Sequence, residues 1–500
     1  MFYKEVSFSL KGLFATILLL PALALAQEEF ARPDVLQADI AFWRQIFGEI
    51  TTNQALLHDS RHLSVVYEVV EIPETATPTR RRRIADLARD RYRKVLLKLA
   101  SGERKSLNGE ERRVLALWPA GVTDKELKEA SKRIRFQQGL SDQFLAGLKR
   151  SGAWKAHIEK QLRAAGVPVE LAALPHVESS FNPDAHSHVG AAGLWQFTRA
   201  TGKRFMQIDY VVDERRDPFR ASEAAAQLLA YNYSVLESWP LAITAYNHGV
   251  GGMRRAVKQL NTDDIGEINR EYQGRTFGFA SRNFYVAFLA ALDVEQNADK
   301  YFGPVAKERP RADLIVKMPG FVAARDLSVA LGITEDTLRV YNASLLDPVW
   351  DGTKLIPSGY GFRIPEYLTD KTVGQILDAI PTSQRYARQI PDMEHRIKSG
   401  ESLSVIAQRY GTTTRVLMSL NGITNQNRIR AGQTLRLPFS GTGAPLGAES
   451  YTVRKGDSLS LIASRTGVSE ASIMELNKLK DKNRIYVGQV LYLVPRDPSA

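Results

Sequence analysis

The chain has 500 residues, 44% hydrophobic and 24% charged, more than one core usually supports, so two to four domains are expected and disorder on a large scale is excluded. It contains no cysteine, which excludes structural disulfides, cysteine-ligated metals and a lipid-modified N-terminal cysteine. With 67 basic and 55 acidic residues the net charge is +12, a balance that favours a polyanionic partner.

Residues 1–26 read as a signal peptide. Lys4 and Lys11 give the positive start, Gly12 to Leu25 is apolar but too short to favour a membrane span, and Ala24 and Ala26 put small residues where a signal peptidase reads. The chain is therefore expected to be exported, into the periplasm or bacterial cell envelope, where a large core can replace disulfides. Outside the cytoplasm the polyanions are peptidoglycan, whose stem peptides carry carboxylates, and the membrane surface, which leaves peripheral membrane contact open. Nucleic acid is not an expected partner.

Residues 27–140 read as an N-terminal helical region, with Ile84, Leu87, Tyr92, Val95, Leu96 and Leu99 at roughly helical spacing. The basic run Arg80 to Arg83 reads as a solvated helix end. Residues 141–303 are also helix-like, with amphipathic spacing over 142–148, 154–165 and 222–236. Gly166-Val-Pro168 ends one helix and starts the next. Pro304 to Pro310 reads as a linker. Over 311–366, Asp326 to Leu331 and Glu335 to Tyr341 read as short helices, and Phe362 to Pro365 as a closing strand.

The C-terminal part is an internal duplication. Shifted by 56 residues, His395–Leu437 overlays Tyr451–Leu493 without gaps, and 18 of the 43 pairs are identical. The shared residues include Gly400/Gly456, Ser402/Ser458, Asn421/Asn477, Asn427/Asn483, Ile429/Ile485 and Gly432/Gly488. Ser440 to Pro445 has a flexible-linker composition between the copies. Each copy, 393–438 and 450–495, reads as strand, helix, helix, strand. Residues 320–366 echo the pattern as a degenerate third copy.

Three blocks carry chemistry. They are Leu174-Pro-His-Val-Glu178-Ser-Ser-Phe-Asn-Pro183, Gly190-Ala-Ala-Gly-Leu-Trp-Gln196-Phe-Thr198 and Ala245-Tyr246-Asn247-His-Gly249. Glu178 follows the apolar stretch Leu171 to Val177. A lone carboxylate beside so much apolar surface should have a raised pKa, and a carboxyl that keeps its proton near neutral pH can act as a general acid. Read alone, the segment fits a helix-end glutamate in solvent better. His176, His186, His188 and His248 cluster in the sequence without zinc-site spacing, so no metal is expected, and no cofactor motif appears: Gly249-Val-Gly-Gly252 lacks the lysine of a phosphate loop.

Together the blocks resemble the soluble lytic transglycosylases, relatives of goose-type lysozyme, over roughly residues 145–300. The resemblance implies a mainly α, lysozyme-like catalytic domain, with Glu178 as the single acid/base. It implies substrate contacts from Ser187, Gln196, Tyr246 and Asn247. The fourth family block, Glu-Thr-Arg-x-Tyr-Val, departs here to Ala280-Ser281-Arg282-Asn-Phe-Tyr285-Val, which puts a substrate-contacting carboxylate and the role of Tyr285 in question. The C-terminal copies resemble LysM domains, small α+β modules of βααβ order that bind N-acetylglucosamine-containing polymers. That resemblance implies a sugar groove lined by Gly400, Glu401, Ser402, Asn427 and Ile429 in one copy and by Gly456, Asp457, Ser458, Asn483 and Ile485 in the other. The substrate implied is the peptidoglycan glycan strand, cleaved with 1,6-anhydro ring closure. No Asp or Glu occurs between Asp184 and Asp209, which weighs against a water-activating second carboxylate. A muramidase and a non-catalytic wall-binding protein are the alternatives, and the oligomeric state is not legible.

Overall fold

The computed structural model describes residues 30–102, 104–390, 393–410, 412–437, 450–454, 457–466, 468 and 470–493. The predicted signal peptide, the linker at 440–445 and Gly456 lie outside the described residues. The chain divides into two compact units, one holding residues up to Asn182 with Ala225–Glu308, the other Pro183–Ala224 with the residues from Arg309 onward. Among the described residues no helix is long and apolar enough to cross a membrane.

The first unit is mainly helical. The stretches read as separate helices at 142–148 and 154–165 are one helix, Ser141–Ala164. Helix Phe279–Gln296 runs through the core, burying all of Phe284 to Leu292. It packs on helix Gln37–Gly48, where Trp43 Nε1 donates to Asn283 Oδ1 at 3.0 Å. Arg32 closes its far end with two bonds to Asp293, of 3.0 and 2.7 Å.

Residues 27–140 are not all helix, which corrects the sequence reading. Strand Gln54–Asp59 lies between Val66–Glu71 and Ile134–Gln138 in an antiparallel sheet. The run Ala55 to Asp59 is buried without alternation, and periodicity does not separate such a run from a buried helix segment. Helix Pro78–Leu99 is where the spacing put it. Proline opens it, the Thr77 side chain caps it by accepting from Arg80 N, and Tyr92, Val95, Leu96 and Leu99 are buried. Leu87 points outward instead, 62% exposed.

In the second unit, two-stranded antiparallel sheets close three βααβ modules. The 313–365 module has strands Asp313–Lys317 and Gly361–Pro365 around helices Ala324–Leu331 and Glu335–Tyr341, with an added short helix, Asp347–Trp350, before the closing strand. The next has Met393–Arg396 and Thr434–Leu437 around Leu403–Arg409 and Thr414–Asn421. The last has Ser450–Thr452 and Val490–Tyr492 around Leu459–Thr466 and Glu470–Leu476.

The three share more than element order. Just past the first strand, Met318, Ile397 and Val453 donate through N–H to Tyr360, Gln433 and Gln489. Their carbonyls accept from Gly359, Gly432 and Gly488, each at positive φ (76°, 84° and 89°), where a side chain would be strained. In every module an asparagine stands 24 positions further on: Asn342, Asn421, Asn477. Its side chain clamps the second helix to the closing strand. Asn421 Nδ2 donates to Leu417 O and Arg436 O while Oδ1 accepts from Arg436 N, all at 2.8 Å. Asn477 does the same with Ile473 and Tyr492, and Asn342 with Leu338 and Arg363.

Candidate active site

Glu178 is carried by the short helix Leu174–Ser179, whose start Leu174 to His176 is buried. His176 anchors it. Its ring stacks on Phe144 (4.3 Å, 17° between planes) and meets Phe181 edge-on at 4.5 Å. Burial pulls the imidazole below its ordinary pKa, and its Nε2 lies 3.7 Å from Glu295, a carboxylate already held by Lys155 at 2.6 Å. His176 is thus a core residue.

The helix ends in an unusual turn, with Ser180 and Phe181 both left-handed (φ 50° and 54°). Two residues of helix Ser141–Ala164 hold it. Arg150 donates to Ser180 O at 2.6 Å and to Phe181 O at 3.1 Å. Gly147 allows the close approach, since a Cβ there would lie 2.7 Å from Ser180 O. Sequence reading missed both residues, which stand some thirty positions upstream.

Glu178 is half-buried. Burial alone pushes its pKa up to about 8, from the 4.5 of an ordinary glutamate. Among the described residues no cation pairs with it. Tyr246 lies within electrostatic reach, its hydroxyl pKa raised by burial and by the Glu178 charge. Tyr246 comes from helix Trp239–His248, which stops at Gly249 (φ 84°), and its ring stacks parallel to Phe284 at 6.2 Å. The neighbouring Asn247 is exposed, with Oδ1 accepting from Ser281 Oγ at 2.8 Å.

The departing fourth block now has a geometry. Ala280 is exposed and Ser281 steadies Asn247. Arg282 donates to the carbonyls of Asn269 and Tyr272. Tyr285 is wholly buried and donates to Ala31 O at 2.8 Å. Phe284, not Tyr285, faces Tyr246.

Ser187 and Gln196 share a loop of the second unit. Ser187 Oγ accepts from Ala191 N at 2.9 Å, which leaves its own proton to donate. Gln196 is left-handed (φ 47°), and its Nε2 donates to Ala185 O at 3.0 Å and Gly193 O at 2.9 Å. Arg215, also missed in the sequence, braces this loop. It is paired with Asp213 (2.9 and 2.6 Å), and its Nη1 donates to Gly190 O and Phe197 O at 2.8 and 3.0 Å. Gly193 (φ 78°) sits so close that a Cβ would lie 1.8 Å from Arg215 O. The signal available was the Asp213-x-Arg215 spacing, some twenty positions after Gly190 and Gly193.

In the C-terminal modules Gly400 is left-handed (φ 84°). Glu401 turns inward, accepting from Lys398 N at 2.8 Å and facing His395 Nε2 at 2.7 Å. Asp457 likewise accepts from Arg454 N and the Tyr451 hydroxyl. Both carboxylates are thus committed to their own turns. Ser402 is exposed and caps its helix; Ser458, Asn427 and Asn483 are exposed, while Ile429 and Ile485 pack on the cores of their modules. Among the described residues no group of three or more histidines and carboxylates could hold a metal.

Residues 155–269 match the transglycosylase SLT domain, and 395–438 and 451–494 match the LysM domain. The chain is 27% identical to the membrane-bound lytic murein transglycosylase D of Escherichia coli over 365 residues, 71% of this chain and 78% of that protein. It is 43% identical over 106 residues to N-acetylmuramoyl-L-alanine amidase sle1 of Staphylococcus saprophyticus, 19% of this chain and 32% of the amidase. Among solved structures, the lytic transglycosylase Slt of Pseudomonas aeruginosa aligns with a TM-score of 0.24 at 21% identity, over 31% of this chain and 24% of that one.

Proposed function

From the SLT-domain match over residues 155–269, the two LysM matches that follow it and the similarity to lytic murein transglycosylase D, we propose that the chain is a lytic murein transglycosylase that cleaves the β-1,4 bond between N-acetylmuramic acid and N-acetylglucosamine in peptidoglycan, with Glu178 as its only acid/base. The observation that carries this reading is the Glu178 carboxyl itself: half-buried, paired with no cation among the described residues, and protonated at neutral pH because its pKa is about 8.

Glu178 gives its proton to the bridging oxygen as the C1–O bond breaks, and the N-acetyl oxygen of the muramic residue covers C1. Glu178, now a carboxylate, takes the proton of the sugar's own C6 hydroxyl while O6 bonds to C1 and the N-acetyl oxygen leaves it. The proton count closes without water, and the product is a 1,6-anhydro end. Burial suits both halves, since a carboxylate of pKa about 8 is a stronger base than an ordinary one. Tyr246 and Asn247 face the reacting sugar, the Ser187 hydroxyl donates to the N-acetyl group, and Gln196 contacts the sugar. The LysM loops at Gly400, Ser402, Asn427 and Ile429, and at Gly456, Ser458, Asn483 and Ile485, hold glycan; two tethered weak binders prolong residence on a repeating polymer. The protein acts in the bacterial cell envelope after export. Digestion of purified sacculi by the wild type and by Glu178→Gln tests this: soluble muropeptides are expected from the first and none from the second, and equal release would refute it.

A further inference from the structure

We propose that residues 313–365 are a third copy of the LysM-like repeat whose sugar loop has closed, and that this copy serves as a brace fixing the Gly190–Gln196 loop of the SLT domain. The proposal rests on the transglycosylase reading for its kinetic consequence only.

The register identifies the copy. Met318, Asn342, Gly359 and Arg363 make the same backbone and clamp bonds as their counterparts in the two LysM domains. Counting from Met318, Ile397 and Val453, the stretch matching Gly400-Glu-Ser402 and Gly456-Asp-Ser458 is Phe321-Val322-Ala323. That loop is not open to a sugar. Phe321 is bridged to Tyr386, Val322 to Ile356, and Leu355, Tyr386 and Ile390 form a buried cluster against Phe321 and Ala323.

The other groove-side loop has been enlarged and redirected. Asn421 to Arg436 and Asn477 to Tyr492 are 15 residues apart, whereas Asn342 to Arg363 is 21. The lengthened loop pairs with SLT-domain backbone instead of glycan. Leu345 is bridged to Val212, Asp213 N donates to Ser344 O at 2.8 Å, and Leu346 N donates to Val211 O at 2.9 Å. Val211 and Val212 are buried in one core with Val316, Leu327, Leu338 and Phe362 of the module. Arg363, at the clamp, reaches Asp217 at 3.4 Å and stacks over Phe219 at 4.0 Å.

The connection to the Gly190–Gln196 loop is short. Asp213 holds Arg215, and Arg215 holds Gly190 O and Phe197 O on either side of Gln196. Tyr210, from the same segment, carries Arg436 of the next module over its ring at 4.4 Å. Ser344 and Arg363 are therefore positioning residues, acting through Asp213, Arg215 and Asp217.

Leu346→Pro tests the brace with little collateral strain. Leu346 has φ −83°, close to what proline adopts, so the change chiefly removes the one N–H that Val211 accepts. Arg363→Met, which removes the ion pair and keeps the bulk, is the second variant in case the first does not fold, and Arg363→Lys is its conservative partner. Amide exchange at Asp213, KM and kcat on soluble glycan oligomers, and retention on sacculi are measured in the full chain. The brace predicts exchange and KM each raised roughly fivefold in Leu346→Pro and Arg363→Met, the scale of one lost hydrogen bond. It also predicts kcat within about twofold, partial recovery in Arg363→Lys and unchanged retention. Wild-type exchange and KM in both variants overturn it, as does a loss of retention matching the rise in KM, which would make the module a glycan binder. Exchange needs no turnover, so failure of the enzymatic reading and failure of the brace are distinguishable.

Discussion

Arg150 donates to the carbonyl of Ser180 at 2.6 Å, two residues beyond Glu178 and across the left-handed turn that ends its helix. Together with its bond to Phe181 O, this fixes the direction in which Glu178 leaves the helix. Charge-assisted bonds of this kind contribute about 1.5–3 kcal/mol each, and a displacement of about 1 Å at a reacting group can cost roughly a hundredfold in rate. Arg150→Met is expected to lower kcat on glycan oligomers by about 10- to 100-fold while retention on sacculi stays as in the wild type. Steady-state kinetics beside a sedimentation assay on sacculi read both.

The raised pKa of Glu178 fixes a pH profile. With a value of about 8, the acid form dominates through neutrality, so kcat/KM should be level below pH 7 and fall about tenfold per unit above pH 8. A descending limb centred near 4.5 would contradict the burial argument.

The same shift has a consequence for stability. The folded-state value lies above the unfolded 4.5, so the stability it contributes is fully present below pH 4.5 and is lost as pH rises through about 8. Glutamine does not titrate. The Tm of Glu178→Gln should therefore gain on the wild type between pH 4.5 and 8 and level off above, which calorimetry across that range will show.

Ser281 stands where the family block carries a threonine, and its hydroxyl is the side-chain partner of Asn247 Oδ1. Ser281→Ala frees the Asn247 amide to rotate. The bond is worth about 1 kcal/mol, so KM should rise roughly fivefold with kcat nearly unchanged, and Ser281→Thr should restore it.

Asn421 makes three bonds that tie the second helix of its module to the closing strand. Asn421→Ala is expected to loosen that module alone, by about 1–3 kcal/mol, weakening retention on sacculi while cleavage of soluble oligomers continues. Exchange at Arg436 N, which Asn421 Oδ1 accepts, reports the local opening.

The candidate site was legible where chemistry is local in the chain. Glu178 stands out once the three blocks are read together, and the duplication because 18 of 43 residues recur at a fixed offset. What the sequence hides is whatever depends on distant residues meeting. Arg150 and Gly147 reach the Ser180 turn from another helix, and Arg215 ties loop carbonyls some twenty positions away. Strand Gln54–Asp59 was read as helix because both its faces are covered, which erases the alternation that marks a strand. Glu401 and Asp457 have the composition of sugar ligands, but their backbone geometry gives each a nearer partner.

The most direct test is the mass of the muropeptides that the wild type releases from sacculi at neutral pH. Ring closure by the sugar's own C6 hydroxyl predicts glycan ends lighter by one water than reducing ends, and their disappearance in Glu178→Gln. Wild-type products bearing ordinary reducing ends would show that water is the nucleophile and contradict the single-carboxylate account.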